Sequence, residues 1–283
     1  MKLNIIMVDI NMQVSIKPIL KWAGGKTNLL KSILDNIPLI FNNYIEPFVG
    51  GGALFFALNL QNSIINDINS NLINFYKEIA YNLDNFLLGI EQYNHIPLTK
   101  EHYLNIRNSF NNANLTNLEK ACIFLYLNKT CYNGLYRENS KGQFNTPFGQ
   151  YKKISFYEVK NLQFASRLLR SVRILSTDFF YLLNFIERDD FVYLDPPYIP
   201  CSKTSNFTNY SRYGFDFKMH EKLLHFCDNI DQIGAKFLLS NSYTNSSLKL
   251  YKNYNVIFVD SKRVINSNPV GRGSIKEILV KNF

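Results

Sequence analysis

Apolar residues along the chain recur with two spacings, and these spacings divide it into alternating strands and helices. Residues 43–67 contain in order a short strand (YIEP), a glycine turn (FVGGG), an apolar helix (ALFFALNL) and a second buried strand (SIIND). Strands and helices that alternate at this spacing are typical of a parallel sheet covered by helices. The pattern therefore predicts an α/β fold.

The middle of the chain has a different pattern of apolar and polar residues. From residue 70 to about residue 128, NLINFYKEIAYNLDNFLLGI and NLEKACIFLYL place apolar residues at helical spacing. The next segment, NKTCYNGLYRENSKGQFNTPFGQYKK, is rich in turn-forming residues and predicts loops or a hairpin. After residue 171, alternation returns with VRILSTDFF, DFVYLDPPY, MHEKLLHFCDNI, AKFLLSNS, NVIFVD and IKEILVKNF. We therefore predict a sheet domain interrupted by a helical and hairpin insertion.

Positive charge is concentrated in one segment of the chain. The 283 residues suit one large domain or two unequal ones, and they carry 31 basic and 22 acidic residues, a net charge of +9. Nine Lys and Arg residues but only two Glu residues lie between positions 129 and 173, a local net charge of +7. Polyanion binding needs such local density, so the segment indicates nucleic acid as a partner. The total charge alone is equally typical of a basic enzyme with no anionic partner.

Cysteine usage and hydropathy limit the remaining classes. Cys122, Cys131, Cys201 and Cys227 form no C-x-x-C pair, which favours reduced thiols over a disulfide or zinc framework. No apolar run approaches the ~20 residues of a membrane-spanning helix, and the first residues carry no cleavage signal. We therefore expect a cytoplasmic protein with no metal and no membrane contact.

Two glycine segments suggest a cofactor. ILKWAGGKT resembles the end of a phosphate-binding loop, but Leu20 stands where that loop needs its first glycine. EPFVGGGALFF joins a strand to a helix, where backbone N–H groups can approach a ligand closely. Asp67 ends the next strand, 15 residues past Gly52, and a carboxylate there can accept both ribose hydroxyls of an adenosine cofactor. These features leave NAD and S-adenosylmethionine open, and a tight turn without a ligand is the alternative.

The stretch YLDPPY separates these cofactors. Two prolines cannot continue a strand ladder, so Pro196 and Pro197 force a turn that presents Asp195 just past the sheet edge. An exocyclic amine on a nucleobase is a poor nucleophile, and the Asp195 carboxylate with the Pro196 carbonyl can accept both of its hydrogens. The ring of Tyr198 offers a face on which an extrahelical base can stack. Alone, a Pro-Pro turn with a capping Asp explains the stretch as well; downstream of the glycine turn and Asp67, amine methylation is favoured.

These motifs together resemble a known family. LKWAGGK, EPFVGGGALFF, NDIN, NGLYRENSKGQFNTPFG, TDFF, DPPY and SNS fall in the order found in adenine-N6 DNA methyltransferases of the Dam type. The resemblance covers essentially the whole chain after Ile16, and VYLDPPYIP with Arg272 and Gly273 extends it to restriction-system companions that methylate GATC. It implies a Rossmann-like S-adenosylmethionine-dependent methyltransferase sheet with an inserted helical and hairpin DNA-recognition subdomain.

The resemblance also implies which residues act. The catalytic residues would be Asp195, Pro196, Pro197 and Tyr198. The residues that bind S-adenosylmethionine would be Trp22, Lys26, Glu46, Phe48, Gly50, Gly52, Asp67, Asp178, Phe179 and Asp195. The residues that bind double-stranded DNA would be Lys21, Lys129, Tyr132, Asn133, Leu135, Arg137, Asn139, Asn145, Pro147 and Tyr151.

Several of these residues would have particular roles by the same resemblance. Lys26 would meet the carboxylate of the cofactor, and Asp178 with Phe179 would hold its adenine. Tyr132 and Asn133 would wedge into the gap left by a flipped base. Leu135 and Arg137 would read bases, and Lys21 would read a guanine; arginine suits guanine O6 and N7, and an apolar atom suits a thymine methyl.

We therefore expect an adenine-N6 methyltransferase acting on a flipped base, within GATC. Residues 1–80 and 165–283 would form the catalytic domain and residues 81–164 the DNA-recognition subdomain. A monomer or weak dimer is the default, and pairing with a restriction endonuclease is left open. Cytosine N4 or a protein glutamine is a rival target, although those families more often carry Ser or Asn where Asp195 stands. A DNA-binding regulator with an inactive cofactor site is the other alternative.

Overall fold

The strands that carry the predicted motifs all belong to one sheet. The structure is a computed structural model that describes residues 6–7, 16–200, 215–262 and 274–283. Its strands are β1 (Ile6–Met7), β2 (Ile40–Phe41), β3 (Tyr44–Glu46), β4 (Ile64–Asn66), β5 (Arg173–Leu175), β6 (Phe191–Leu194), β7 (Lys236–Ser242), β8 (Asn255–Lys262) and β9 (Ser274–Lys281). Cys201, Arg272 and Gly273 lie outside the described residues.

The main sheet has seven strands in the order β5-β4-β3-β6-β7-β9-β8. Strands β3 to β7 pair in parallel, whereas β9 runs antiparallel to both β7 and β8. Strands β1 and β2 form a separate antiparallel pair. The strand predictions for residues 43–67 and after residue 171 are thereby confirmed.

The order of the strands reverses at β3. Ile45 pairs with Ile64 of β4 on one side and with Val192 of β6 on the other. In open α/β sheets, ligands bind in the crevice outside the carboxyl ends of the strands at such a reversal. The glycine turn follows β3, and the Asp-Pro-Pro-Tyr stretch follows β6. The topology therefore brings both predicted motifs to one crevice.

Nine helices of the described residues surround the sheet and build the insertion. They are α1 (Leu30–Leu34), α2 (Ala53–Leu58), α3 (Ser70–Tyr81), α4 (Leu83–Glu91), α5 (Lys100–Asn112), α6 (Asn117–Thr130), α7 (Val159–Arg170), α8 (Phe217–Ile233) and α9 (Asn245–Leu250). The periodic stretch that begins at residue 70 divides into α3 and α4 at Asn82, whose φ of −140° is not helical. Helix α7 was not predicted, and the expected boundary between residues 164 and 165 falls inside it.

Helix α6 forms the centre of the insertion. A capping box between Thr116 and Glu119 fixes its start, because each residue satisfies a backbone or side-chain group of the other. Most of its residues from Ala121 to Thr130 are buried, as expected of a helix surrounded by others. Beyond it, a 3₁₀ turn (Tyr132–Gly134) leads into a hairpin whose arms are bridged at Cys131 to Phe148 and at Glu138 to Phe144.

The insertion and the sheet share one hydrophobic core. Side chains from the sheet, including Phe191 and Leu238, belong to the same buried cluster as Phe75 of α3 and Phe124 of α6. A second cluster on the other face of the sheet packs β6 and β7 against α8. The insertion is therefore packed on the sheet through this shared core.

The described residues include three buried free thiols, those of Cys122, Cys131 and Cys227. Within the described ranges, no group of three or more His, Cys, Asp or Glu residues is placed to hold a metal ion. None of the helices in these ranges combines the length and the apolarity needed to cross a bilayer.

Replacing Phe75 with Ala is expected to lower the free energy of unfolding by about 3–5 kcal/mol, because a buried ring is lost and a cavity remains. Phe75 is fully buried and meets the rings of Tyr76, Phe86 and Phe124 at centroid distances of 5.7, 5.8 and 5.7 Å. Urea unfolding followed by tryptophan fluorescence and by far-UV circular dichroism should show a single shifted transition. Tyr81→Ala, at an exposed position of the same helix, is the matched control and should stay within about 0.5 kcal/mol of the parent.

Candidate active site

The carboxyl edge of the sheet carries four acidic side chains. Glu46 is the last residue of β3, and Asp67, Asp178 and Asp195 follow closely after β4, β5 and β6. All four were predicted as site residues. Since β5, β4, β3 and β6 are neighbours in the sheet, these carboxylates line one continuous edge.

The glycine turn after β3 is held from both sides. Gly50 and Gly52 have φ values of +46° and +68°, which only glycine adopts without strain. A Cβ atom at Gly50 would lie 2.8 Å from the ring of Trp22, so this position also requires the small residue for close packing. The Tyr76 hydroxyl donates to the Gly50 carbonyl at 2.7 Å. Trp22 also stacks on Tyr136, at 5.9 Å between ring centroids, and so joins the turn to the hairpin.

Asp67 ties the turn to the end of β4. Its two carboxylate oxygens accept from the backbone N–H groups of Gly50 at 3.1 Å and Asn69 at 2.9 Å. Burial raises the pKa of Asp67 to about 6, although these two bonds lower it. The side chain stays partly exposed, so a ligand hydroxyl can approach it.

Asn66 is a site residue that the sequence reasoning missed. Its side-chain amide donates to the carbonyls of Pro47 and Thr177, each at 3.0 Å, and its oxygen accepts from the Thr177 N–H at 2.9 Å. The backbone carbonyl of Asn66 accepts from the Val49 N–H at 2.9 Å. One buried side chain thereby fixes the loops after β3 and β5 relative to β4.

Glu46 is buried beneath the site. The Tyr44 hydroxyl donates to its Oε2 at 2.6 Å. Burial raises the pKa of Glu46 to about 8; the Tyr44 bond and the Phe55 N–H lower it, and the charge of Asp195 raises it further. In this structure Glu46 therefore binds a proton far more readily than an ordinary carboxyl group.

The loop after β5 combines an exposed carboxylate with a buried ring. Asp178 pairs with Lys222 of α8, with 2.9 Å between Nζ and Oδ1, and both side chains are well exposed. Phe179 is buried and its ring packs against Phe48, at 5.2 Å between centroids. The phenyl rings form an apolar wall, and Asp178 gives it a polar rim.

Asp195 forms an ion pair at the crevice. Its Oδ1 lies 2.7 Å from Nζ of Lys26, which is itself buried. The same ammonium donates to the Gly24 carbonyl at 2.6 Å and lies 4.5 Å from the ring centroid of Tyr198. Burial raises the pKa of Asp195 to about 6 against the lowering effect of Lys26, and the charge of Glu277 adds to the rise. The sequence reasoning placed Lys26 on a cofactor carboxylate; here it contacts the protein's own Asp195.

The loop that carries Asp195 is anchored beyond its two prolines. The Ile199 N–H donates to Oδ1 of Asn241 at 3.1 Å, and the Ser242 hydroxyl donates to the Ile199 carbonyl. Both anchors lie in the SNS segment that ends β7. The role of this segment in fixing the loop was not predicted from the sequence.

The basic residues of the insertion divide into two kinds. Lys21 is exposed, and its ammonium lies 4.4 Å from the ring centroid of Tyr151. Lys129 instead donates to the Ile19 carbonyl at 2.6 Å, and burial followed by the nearby charge of Lys21 lowers its pKa to about 8. Lys129 is partly buried and tied to the backbone by this bond, whereas Lys21 is exposed, so Lys21 is the better placed of the two to contact DNA.

The two residues predicted to wedge into DNA lie at the start of the hairpin. Tyr132 and Asn133 are exposed, and Asn133 has a φ of +55°. The Tyr132 N–H donates to the Pro147 carbonyl at 2.8 Å, so the two ends of the hairpin are joined. Leu135 is half-buried and contributes to the lining of a small pocket beside Phe124; its role as a base reader stays a prediction.

Arg137 is held in the hairpin by Asn145. Its Nε donates to Oδ1 of Asn145 at 2.7 Å, and Nη2 donates to the Asn145 carbonyl at 3.2 Å. Asn139 closes the hairpin tip, because its Oδ1 accepts from the N–H groups of Lys141 and Gln143. Asn139 and Asn145 therefore have evident structural roles in addition to any contact with DNA.

Helix α5 supports the hairpin through side chains that the sequence reasoning did not identify. Asn111 exchanges two bonds with the backbone of Phe144, each 2.9 Å long. Arg107 donates to the Thr146 carbonyl at 3.1 Å and Tyr103 donates to it at 2.7 Å. These hydrogen bonds satisfy backbone groups on both sides of Asn145 and fix that arm of the hairpin.

Comparison with known proteins places the chain in a family. Residues 22–265 match the family described as D12 class N6 adenine-specific DNA methyltransferase, which is most of the chain. The chain belongs to this family.

Several relatives align with this D12 class methyltransferase over nearly the whole length of both chains. The type II methyltransferase M.MjaIII of Methanocaldococcus jannaschii is 40% identical over 95% of this chain and 100% of its own length. The type II methyltransferase M1.LlaDCHI of Lactococcus lactis subsp. cremoris is 37% identical over 96% and 97%. The DNA adenine methylase of Escherichia coli K12 is 34% identical over 92% and 93%.

Family membership decides between the enzyme classes left open by the sequence. The D12 class acts on adenine N6 of DNA, so cytosine N4 and protein glutamine are excluded as the family's target. The acidic edge of the sheet and the basic hairpin of this methyltransferase agree with that chemistry, because one offers acceptors to an amine and the other offers cations to DNA.

Glu46→Gln is expected to stabilise this methyltransferase increasingly as pH rises from about 5 to about 8. The folded protein keeps a proton on Glu46 up to a pKa of about 8, whereas the ordinary carboxyl pKa is 4.5. The stability due to this proton uptake is complete below pH 4.5 and is lost as pH rises through 8; glutamine does not ionise. Urea unfolding should give a difference on the order of 2–4 kcal/mol at pH 8 and little difference at pH 5.

Glu221→Gln is the control for this measurement, since Glu221 is exposed on α8. Its stability difference from the parent should not change across the same pH range. A constant difference for Glu46→Gln would contradict the buried protonated carboxyl.

Proposed function

We propose that the protein transfers a methyl group from S-adenosylmethionine to N6 of an adenine flipped out of double-stranded DNA, within GATC. The observation that supports this most is the position of Asp195 and Tyr198. They follow β6 where the strand order reverses, directly beside the glycine turn after β3. Acceptor, stacking ring and cofactor turn therefore meet in one crevice.

The residues of the edge fit a cationic nucleoside. Asp67 would accept the ribose hydroxyls, and Asp178 with the wall of Phe48 and Phe179 would hold an adenine ring and its amine. The Asp195 carboxylate favours a positive charge near it, and such a charge would also favour the ionised form of Glu46. When bound, S-adenosylmethionine supplies an electrophilic methyl group on a sulfonium, so the protein need only position and activate the amine.

Asp195 and Pro196 activate the target amine. The Asp195 carboxylate and the Pro196 carbonyl accept its two hydrogens, which draws the nitrogen toward a tetrahedral form and frees its lone pair. Asp195 has a pKa of about 6, so it is mostly ionised at neutral pH. It does not need to act as a strong base, because the proton can leave after the methyl group arrives.

The hairpin would recognise the DNA. Tyr132 and Asn133 would fill the gap left by the flipped adenine, and Arg137 and Lys21 would contact guanine. Asn145 holds the guanidinium of Arg137 through two bonds, which favours bidentate base recognition. The assignment of GATC itself rests on the family resemblance of the hairpin sequence.

The cellular setting is part of the same proposal. Two relatives are named type II methyltransferases, which supports pairing with a restriction endonuclease. We place the enzyme in the cytoplasm, where DNA is accessible, and we take a monomer or weak dimer as its working state.

Asp195→Ala is expected to abolish methyl transfer while DNA affinity remains within about threefold, because the acceptor for the amine is lost but the hairpin is unchanged. Incorporation of labelled methyl groups into GATC-containing duplexes and a DNA-binding titration would measure the two effects. Glu221→Ala, on the exposed side of α8, is the control. Near-normal transfer by Asp195→Ala would contradict the catalytic assignment.

Sequencing of methylated adenines in DNA from a host that expresses the protein should find them in GATC. Arg137→Ala should then lower kcat/KM on GATC and reduce its preference over sites with one altered base by about 1–3 kcal/mol, the usual contribution of a bidentate base contact. Lys141→Ala, at the exposed hairpin tip, should weaken binding to all sequences alike. An unchanged preference in Arg137→Ala would remove Arg137 from base recognition.

A further inference from the structure

The hydroxyl of Tyr198 has a partner far along the chain. It donates to Oε2 of Glu277 at 2.7 Å, and both side chains are partly buried. Glu277 lies on β9, where its register partners are Ser242 of β7 and Val259 of β8. Since β7 lies between β6 and β9, the bond passes across the end of β7 and joins the catalytic loop to a third strand.

The restraints on the backbone around Tyr198 do not by themselves fix the orientation of its ring. Pro196 and Pro197 restrict the chain before it, and Asn241 accepts from the Ile199 N–H just after it at 3.1 Å. These restraints leave the two side-chain torsions of Tyr198. Stacking on a base requires one ring plane, and a small misplacement of reacting groups can lower a rate strongly.

Two contacts restrain those torsions. The ammonium of Lys26 lies 4.5 Å from the ring centroid of Tyr198 and so covers one face of the ring. The carboxylate of Glu277 holds the far end of the ring through the hydroxyl. A flipped base can then stack only on the opposite face, in a plane that is set before DNA binds.

We propose that Glu277 is a positioning residue for methyl transfer, which holds the Tyr198 ring in the plane on which the target adenine stacks. This inference rests on the proposed function, because it concerns the same site and the same target base. A hydrogen bond to a charged acceptor is stronger than one between neutral groups, which suits a restraint that must survive the entry of a base.

Glu277 has a second, electrostatic effect that makes its role measurable. Its charge raises the pKa of Asp195. The other charged or titratable groups that act on Asp195 or feel its charge are Lys26, Glu46, Tyr44, Tyr193 and Tyr198. Replacing Glu277 by a neutral acceptor should therefore move the acidic limb of the activity profile to lower pH, since Asp195 then ionises more easily.

Glu277→Ala should lower kcat by about 10- to 100-fold, the range for loss of a hydrogen bond to a charged group, with DNA affinity within about twofold. Tyr198→Phe should show a similar loss, because it removes the same bond from the other side. The double variant should be no slower than the slower single variant, since the two changes remove one interaction. Additive losses, or a parental kcat in Glu277→Ala, would overturn the proposal.

Glu277→Gln keeps an oxygen acceptor for the phenol and should recover most of the lost kcat, with the acidic limb shifted to lower pH. Lys276→Ala, at the exposed neighbouring position of β9, is the matched control and should change neither kcat nor the pH profile. Failure of Glu277→Gln to recover kcat would also overturn the proposal, because this variant keeps an acceptor for the phenol. If the parent protein methylates no adenine, the proposed function fails instead, independently of Glu277.

Discussion

The ion pair between Lys26 and Asp195 is the contact on which the site depends. The carboxyl edge of the sheet brings Glu46, Asp67 and Asp195 close together, and burial raises the pKa of each. Like charges in a partly buried edge repel one another. The Lys26 ammonium, 2.7 Å from Asp195, offsets that repulsion and favours the ionised form of the Asp195 carboxyl group. Its own segment is held in place by Trp22 against the glycine turn, so the charge balance and the geometry of the turn have a common origin.

The same edge shows how a binding site can oppose stability. Glu46 is kept protonated by burial in the free protein, so a carboxylate suited to a cationic ligand is stored in neutral form. A positive group placed near it would favour its ionised form. Strongly perturbed pKa values of this kind are common at functional sites.

Much of the fold, including the turn that presents Asp195 after β6, could be predicted from local sequence. The strand-turn-helix-strand pattern of residues 43–67 and the Pro-Pro break after Asp195 depend on neighbours within a few residues, and both are confirmed in the strand assignments. Asn66 and Glu277 could not be found this way, because their partners lie up to 111 and 79 residues away and meet them only through the strand order. The role of Leu135 as a base reader stays a prediction, since its motif indicates that role and its half-buried position beside Phe124 depends on packing that local sequence does not specify. Helix α7 was not predicted, because it lies in a densely charged stretch that follows a segment rich in turn-forming residues.

The shared core fixes the position of the hairpin relative to the carboxyl edge of the sheet. The hairpin is not tethered by a linker; it is bonded to α5 through Asn111 and Arg107, and α6 packs with α3 in the same cluster as β6. Trp22 contacts the glycine turn on one side and Tyr136 of the hairpin on the other. These contacts fix the position of the hairpin relative to Asp195. The remaining freedom in the crevice then lies in side chains such as Tyr198, and under the proposed mechanism the placement of that ring would set the position of the target base.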